Sequence, residues 1–246
     1  TEIYTLSLHD ALPIWVGIFF FYSGFGLNFS YKNKHNYLDG FIGKKLFSVY
    51  LPFFIAESLY SIFSFIFVEK TSFLRLVLNC TGICLSNGVL WYVVEILILY
   101  FLFYLEKRFV KIIKNPFIFW IVLYAVFVII AVINDISTSW YISTSAFLMG
   151  YSFDKFSSLI KKVAKNIKLS LIAVFVHILF TSAYLIIRVT DFAIFVLKTN
   201  QILTAINIIN VPLFVLSVIV VCERIKNTDV TNKAILLLSS ISYEIY

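Results

Sequence analysis

Long apolar runs alternate with short basic stretches along almost the whole chain. Seven runs approach the roughly 20 apolar residues a helix needs to cross a hydrocarbon core. They are Trp15–Ser30, Leu46–Val68, Ser86–Leu105, Phe117–Ile133, Leu169–Val189, Ile202–Cys222 and Ala234–Tyr246. An eighth, Trp140–Phe153, is shorter and richer in Ser and Thr, and reads as a tilted span or a re-entrant piece. The runs are continuous and lack the alternation of a membrane barrel, which argues against strands. Pro52 and Pro212 fall inside runs, where neighbouring helices can satisfy the freed carbonyls. The pattern predicts an all-α, polytopic transmembrane helix bundle with about eight segments.

The charges between the runs test that count. One alternate set of loops holds Lys32, Lys34, Lys44 and Lys45; Lys107, Arg108, Lys111 and Lys114; Lys155, Lys161, Lys162, Lys165 and Lys168; and Arg224, Lys226 and Lys233. The other set holds only Lys70, Arg75, Arg188 and Lys198. This is the asymmetry of positive-inside sorting, and it fails to alternate unless Trp140–Phe153 crosses. The first run therefore enters from outside, and the richly basic loops are cytoplasmic. Trp91, Trp120 and Trp140 near run ends fit an interfacial aromatic belt.

Composition agrees. Apolar residues make up 61% of the 246 and charged ones 13%, against about 25% charged in a soluble domain. Mean hydropathy is +0.95. The net charge of +7 is spread between apolar runs and gathers on no single face, so nucleic acid is not an expected partner. The lipid bilayer is. No repeat, low-complexity tract or soluble domain is visible.

The leading run Thr1–Ile14, TEIYTLSLHDALPI, stands apart. It lacks the basic start of a signal peptide and carries Glu2 and Asp10. A standard sequencing-library adapter, translated in frame, encodes it without a mismatch. Residues 1–14 are therefore expected to be non-native, with residues 15–246 forming a partial membrane domain that continues beyond both ends. His9 and Pro13 then carry no function, and the net charge without Glu2 and Asp10 becomes +9.

Candidate chemistry is sparse. Cys80 and Cys84 are four apart in an outer loop, as a disulfide or as two free thiols, and Cys222 sits at a helix end. No four-ligand zinc spacing appears, and no metal is expected. Gly-rich phosphate loops and serine-hydrolase elbows are also missing. Ionisable residues within spans are more informative, because burying them costs a few kcal/mol. These are Glu57, Glu95, His177 and Glu244. Each fits either a wet cavity or a helix-to-helix hydrogen bond.

Five stretches together resemble the bacterial integral-membrane acyltransferases of acyltransferase family 3, which O-acylate surface sugars and other acceptors. Phe19-Phe20-Phe21-Tyr22-Ser23-Gly24-Phe25 is similar to the family's FF-x-x-SGF helix. Tyr37–Phe53 resembles its basic segment R-x-x-x-x-x-P. Leu90-Trp91-Tyr92 with Leu99-Tyr100-Phe101 is similar to its LWF/Y helix, and Phe147-Leu148-Met149-Gly150 to a later F-x-x-G element. Ser239–Tyr246 resembles the terminal iS-Y-x-iY motif. The resemblance spans nearly all of Trp15–Tyr246. It implies a membrane-bound O-acyltransferase of the bacterial cytoplasmic membrane. The co-substrate would be acyl-CoA, in the usual case acetyl-CoA, used from the cytoplasmic side, with a saccharide or other hydroxyl as acceptor and no bound cofactor.

The family's catalytic His lies in a helix preceding the SGF helix, so none of the residues here is expected to be that His. The family's Arg aligns with Lys45 or Lys44, which keep the charge but lose the bidentate fork. Lys44 and Lys45, with Lys32 and Lys34 nearby, are candidates for the CoA phosphates, although sorting alone also explains them. Ser23 and Tyr92 are candidate oxyanion donors; Trp91, Glu95, Ser242 and Tyr243 complete the substrate and donor set. Two other readings remain at this point: a transporter or flippase for lipid-linked glycan lined by Glu57, Glu95 and His177, or a non-catalytic assembly partner.

Overall fold

A computed structural model describes residues 8–67, 72–86, 88–109, 113, 115–189 and 201–225. Among these every regular element is helical. The helices are α1 (Leu8–Asn33), α2 (Phe41–Lys45), α3 (Leu51–Phe67), α4 (Phe73–Thr81), α5 (Trp91–Arg108), α6 (Pro116–Ile133), α7 (Ser139–Ile142), α8 (Thr144–Tyr151), α9 (Phe153–Lys165), α10 (Ile167–Val189) and α11 (Gln201–Ile225). A π turn over Leu46–Tyr50 joins α2 to α3, and a short 3-10 turn, Gly88–Leu90, leads into α5.

Among the described residues four stretches are long and apolar enough to cross a membrane: Phe41–Phe67, Pro116–Ile133, Ile167–Ile187 and Thr204–Ile225. They coincide with four of the predicted runs. The runs Trp15–Ser30 and Ser86–Leu105 fall on α1 and α5, while Ala234–Tyr246 lies outside the described residues. Trp140–Phe153 is not one continuous helix but the short pair α7 and α8, interrupted at Ser143. Two stretches expected as loops carry helices. The segment after α3 contains α4, and the five-lysine segment is largely α9.

The residues form two compact units. Of the described residues, one unit comprises 8–25, 142–189 and 201–225; the other lies within Gly26–Tyr141, so α1 contributes to both. In the first unit α10 packs on α11, and α8 and α9 also pack on α11. Its core includes Phe20, Phe147, Ile160, Val211, Val215 and Val220. The contact of α1 with α8 is close enough to require glycine on both sides. A Cβ on Gly24 would strike the Phe147 carbonyl and the Tyr151 backbone, and one on Gly150 would strike the Phe21 carbonyl. The SGF and F-x-x-G elements, more than a hundred residues apart in sequence, are thus two halves of one backbone-to-backbone contact. Small residues serve this purpose in membrane helices, where dispersion between closely approaching backbones replaces the hydrophobic effect.

In the second unit α3 packs on α4, and α5 packs on α2 and the π turn. The π turn has a local cause. Pro52 lacks an N–H, and its ring would clash with the carbonyl four residues earlier in a regular helix. Immediately before it, the Leu51 N–H reaches back five residues to the Leu46 carbonyl, widening the turn. α6 starts cleanly because Asn115 Oδ1 accepts the Phe117 N–H (3.1 Å) and the Ile118 N–H (3.4 Å), with Pro116 at the first helical position.

Candidate functional site

α5 supplies the floor of the second unit's polar interior. Its buried residues are Trp91, Glu95, Ile96, Leu99, Tyr100, Phe103, Glu106 and Lys107, steps of three and four that make one continuous face. At the end of this face lies an aromatic cluster between two cations. Lys45 Nζ sits 4.4 Å from the Tyr100 ring centroid and 5.8 Å from that of Phe41. Phe41 in turn meets Tyr37 at 5.5 Å, Phe103 at 6.0 Å and Tyr104 at 6.1 Å. On the far side Lys107 Nζ lies 4.8 Å from the Tyr31 ring and 5.3 Å from Phe103. A ring face attracts a cation through its quadrupole, and most strongly where water is scarce.

The two lysines differ in their carboxylate partners. Lys107 donates to Glu106 Oε1 at 3.1 Å, and Glu106 itself is 0% exposed. Trp120 Nε1 on α6 approaches the other carboxylate oxygen at 3.5 Å. This buried pair is internally neutral. Lys45, half-buried, has its recorded contacts with aromatic faces, which leave the ammonium's hydrogens usable by an anion. Lys44 points elsewhere: it is exposed, and its Nζ donates to the Asp39 carbonyl at 3.3 Å. In the loop above, burial pushes the Tyr37 phenol up from its ordinary value, against a lowering hydrogen bond from Ser30. Tyr37 therefore stays protonated at neutral pH.

The other sequence-nominated residues are distributed as follows. Trp91 is buried and faces Trp140 at 6.3 Å, and Tyr92 is half-buried beside it. Glu95 is buried one turn further along α5, about 7.5 Å of helix rise before Tyr100. Lys45, Trp91, Tyr92 and Glu95 thus belong to one unit and three of them to one helix. Ser23 lies in the other unit, half-buried and next to the Gly24 contact. Ser242 and Tyr243, like Glu244, lie outside the described residues.

Glu57 and His177 belong to separate polar clusters. Glu57 is fully buried and its Oε1 accepts the Ser86 N–H. Around it, Asn79 Nδ2 donates to Ser61 Oγ at 3.2 Å and also to Ser86 Oγ, and those two hydroxyls bond at 2.7 Å. His177, on α10, lies 5.3 Å from the Phe214 ring of α11, and Asn210 Oδ1 of α11 accepts from Thr181 Oγ1 at 3.1 Å. Among the described residues the cysteines are free thiols, with Cys80 Sγ 3.3 Å from Ser58 Oγ, and no metal-holding group of His, Cys, Asp and Glu occurs.

A protein-family model described as an acyltransferase domain, that of acyltransferase family 3, matches residues 3–246. The chain belongs to this family. It is an acyltransferase of the multi-pass membrane type. No curated protein and no solved structure matches it. Membership gives the Lys45–Tyr100 contact added interest, because its two members come from the segments that resemble the family's basic and LWF/Y motifs. Sequence reasoning missed the Glu106–Lys107–Trp120 group. The available signal was a carboxylate at the end of the apolar face, three residues after Phe103 and thus in register with it.

Proposed function

We propose that this acyltransferase moves an acetyl group from acetyl-CoA to a hydroxyl of a cell-envelope saccharide in the bacterial cytoplasmic membrane. The bundle would have about eight segments, with its richly basic loops on the cytoplasmic side. Lys45 carries the proposal: a half-buried cation held on aromatic faces beside cytoplasmic lysines suits the phosphates of CoA. Lys44, exposed one residue away, would add to the field around them.

In the reaction the acceptor hydroxyl oxygen attacks the thioester carbonyl. A carbon–oxygen bond forms, the carbon–sulfur bond breaks, and the hydroxyl proton passes to a general base before reaching the departing thiolate. A His from the helix that precedes the SGF helix in this family suits the base, since its ordinary pKa lies near neutrality. Tyr92 is a proposed donor to the oxyanion, and Trp91 and Glu95 line the substrate path in this reading.

The test is transfer of labelled acetyl from acetyl-CoA by membranes containing the protein. Lys45→Ala should raise KM for acetyl-CoA roughly tenfold or more, the effect of losing one charge-assisted contact, with protein level unchanged. Lys45→Arg should restore most of it. An unchanged KM rejects the donor site. The polar side chains of His177, Thr181 and buried Asn210 on α10 and α11 favour a second reading, a transporter for lipid-linked glycan. Glycan movement without acetyl transfer would establish it instead.

A further inference from the structure

α9 sits where two candidate spans end. The single residue between α9 and α10, Asn166, is extended (φ −95°, ψ 113°), and its Oδ1 accepts the Lys168 N–H at 3.0 Å. One residue therefore closes α9 and caps α10, whose candidate span begins at Ile167. From the end of the other span, Thr204–Ile225, Arg224 Nη1 donates to the Ala164 carbonyl at 3.1 Å. The last turn of α9 is thus fastened to the start of one membrane-crossing helix and the end of another. That sets the last turn of α9 level with the ends of the two candidate spans.

At this level α9 presents three different strips. Ile160 and Ala164 are buried where α9 packs on α11. Beside them Phe156 and Leu159 are 42% and 60% exposed. Lys161, Lys162 and Lys165 are exposed on the opposite half of the helix. An exposed apolar strip on one half of a helix and lysines on the other, at the ends of two candidate spans, has the form of an in-plane interfacial helix. Water on Phe156 and Leu159 would be unfavourable, whereas the acyl boundary is not.

We propose that α9 is an in-plane anchor that binds anionic phospholipid headgroups. Phe156 and Leu159 enter the acyl boundary, and Lys161, Lys162 and Lys165 engage headgroup phosphates. Each lysine near an anionic surface contributes about fivefold in binding. This inference is independent of the acyl-transfer reading, since it concerns lipid and not substrate.

The test is hydrogen–deuterium exchange of the whole chain in nanodiscs of phosphatidylcholine alone and with added phosphatidylglycerol. α9 should exchange more slowly in the anionic bilayer, by roughly fivefold for each engaged lysine. The variant K161Q/K162Q/K165Q should lose that difference while α10 and α11 exchange as before. Equal α9 protection of the unaltered protein in both bilayers overturns the proposal, whatever the variant does. So does a phosphatidylglycerol effect that survives the triple substitution.

Discussion

α5 and α6 have the same length, 18 residues each, and opposite relations to their surroundings. α6 has mean hydropathy 2.8 and buries Trp120 and Ala131, while Ile118, Ile121, Val122, Val126, Ile129 and Ile130 stay exposed. α5 is not among the four helices apolar enough to cross by composition, yet it buries Glu95, Glu106 and Lys107 together with its aromatic face. In a bilayer, then, high hydropathy marks contact with lipid. The polar interior is marked by the helix that scores worse, because an ionisable residue persists in a span only where protein surrounds it.

The contrast is most easily broken at Glu106. Glu106→Ala leaves Lys107 buried without its carboxylate and should destabilise the protein by about 3–5 kcal/mol, read as loss of thermal stability in detergent. A loss below about 1 kcal/mol would mean that the pair is effectively solvated. Trp120→Phe keeps the ring buried but removes the donor to Glu106, and about 1–2 kcal/mol should be lost in the same assay. That result would show α6 attached to the polar interior through its indole; no loss would make α6 purely a lipid-facing cover. The smallest effect is expected at Ile129→Leu on the exposed side of α6, within about 0.5 kcal/mol. A larger change there would mean that Ile129 faces a protein partner.

The sequence was legible where one physical rule dominated. The apolar runs of α3, α6, α10 and α11 follow directly from the length of chain needed to cross hydrocarbon. The roles of Gly24 and Gly150 were not visible. Each lies in a motif read as functional, and only the backbone contact between Phe21 and Gly150 explains why a side chain is excluded. α9 was hidden for another reason. Its lysines read as a sorting signal along the chain, and a 13-residue helix has no long apolar run to reveal it. At the candidate site, Lys45 and Tyr100 each stand out in the sequence, but their contact depends on how α2 packs against α5. Glu95 was expected from its unusual place in an apolar run and is buried. Glu106 stood next to basic residues and passed as part of a polar loop.

The π turn before Pro52 also governs how the chain tolerates a change in length. One residue added to an α-helix rotates everything beyond it by about 100° and shifts it by about 1.5 Å. Six residues separate Lys45 from Pro52, where the family segment it resembles has five. A turn with i to i+5 bonding takes in the additional residue locally. The ammonium then keeps its bearing toward Tyr100 while α3 keeps its own path, so Lys45 and the span that follows are free to change in register independently of each other.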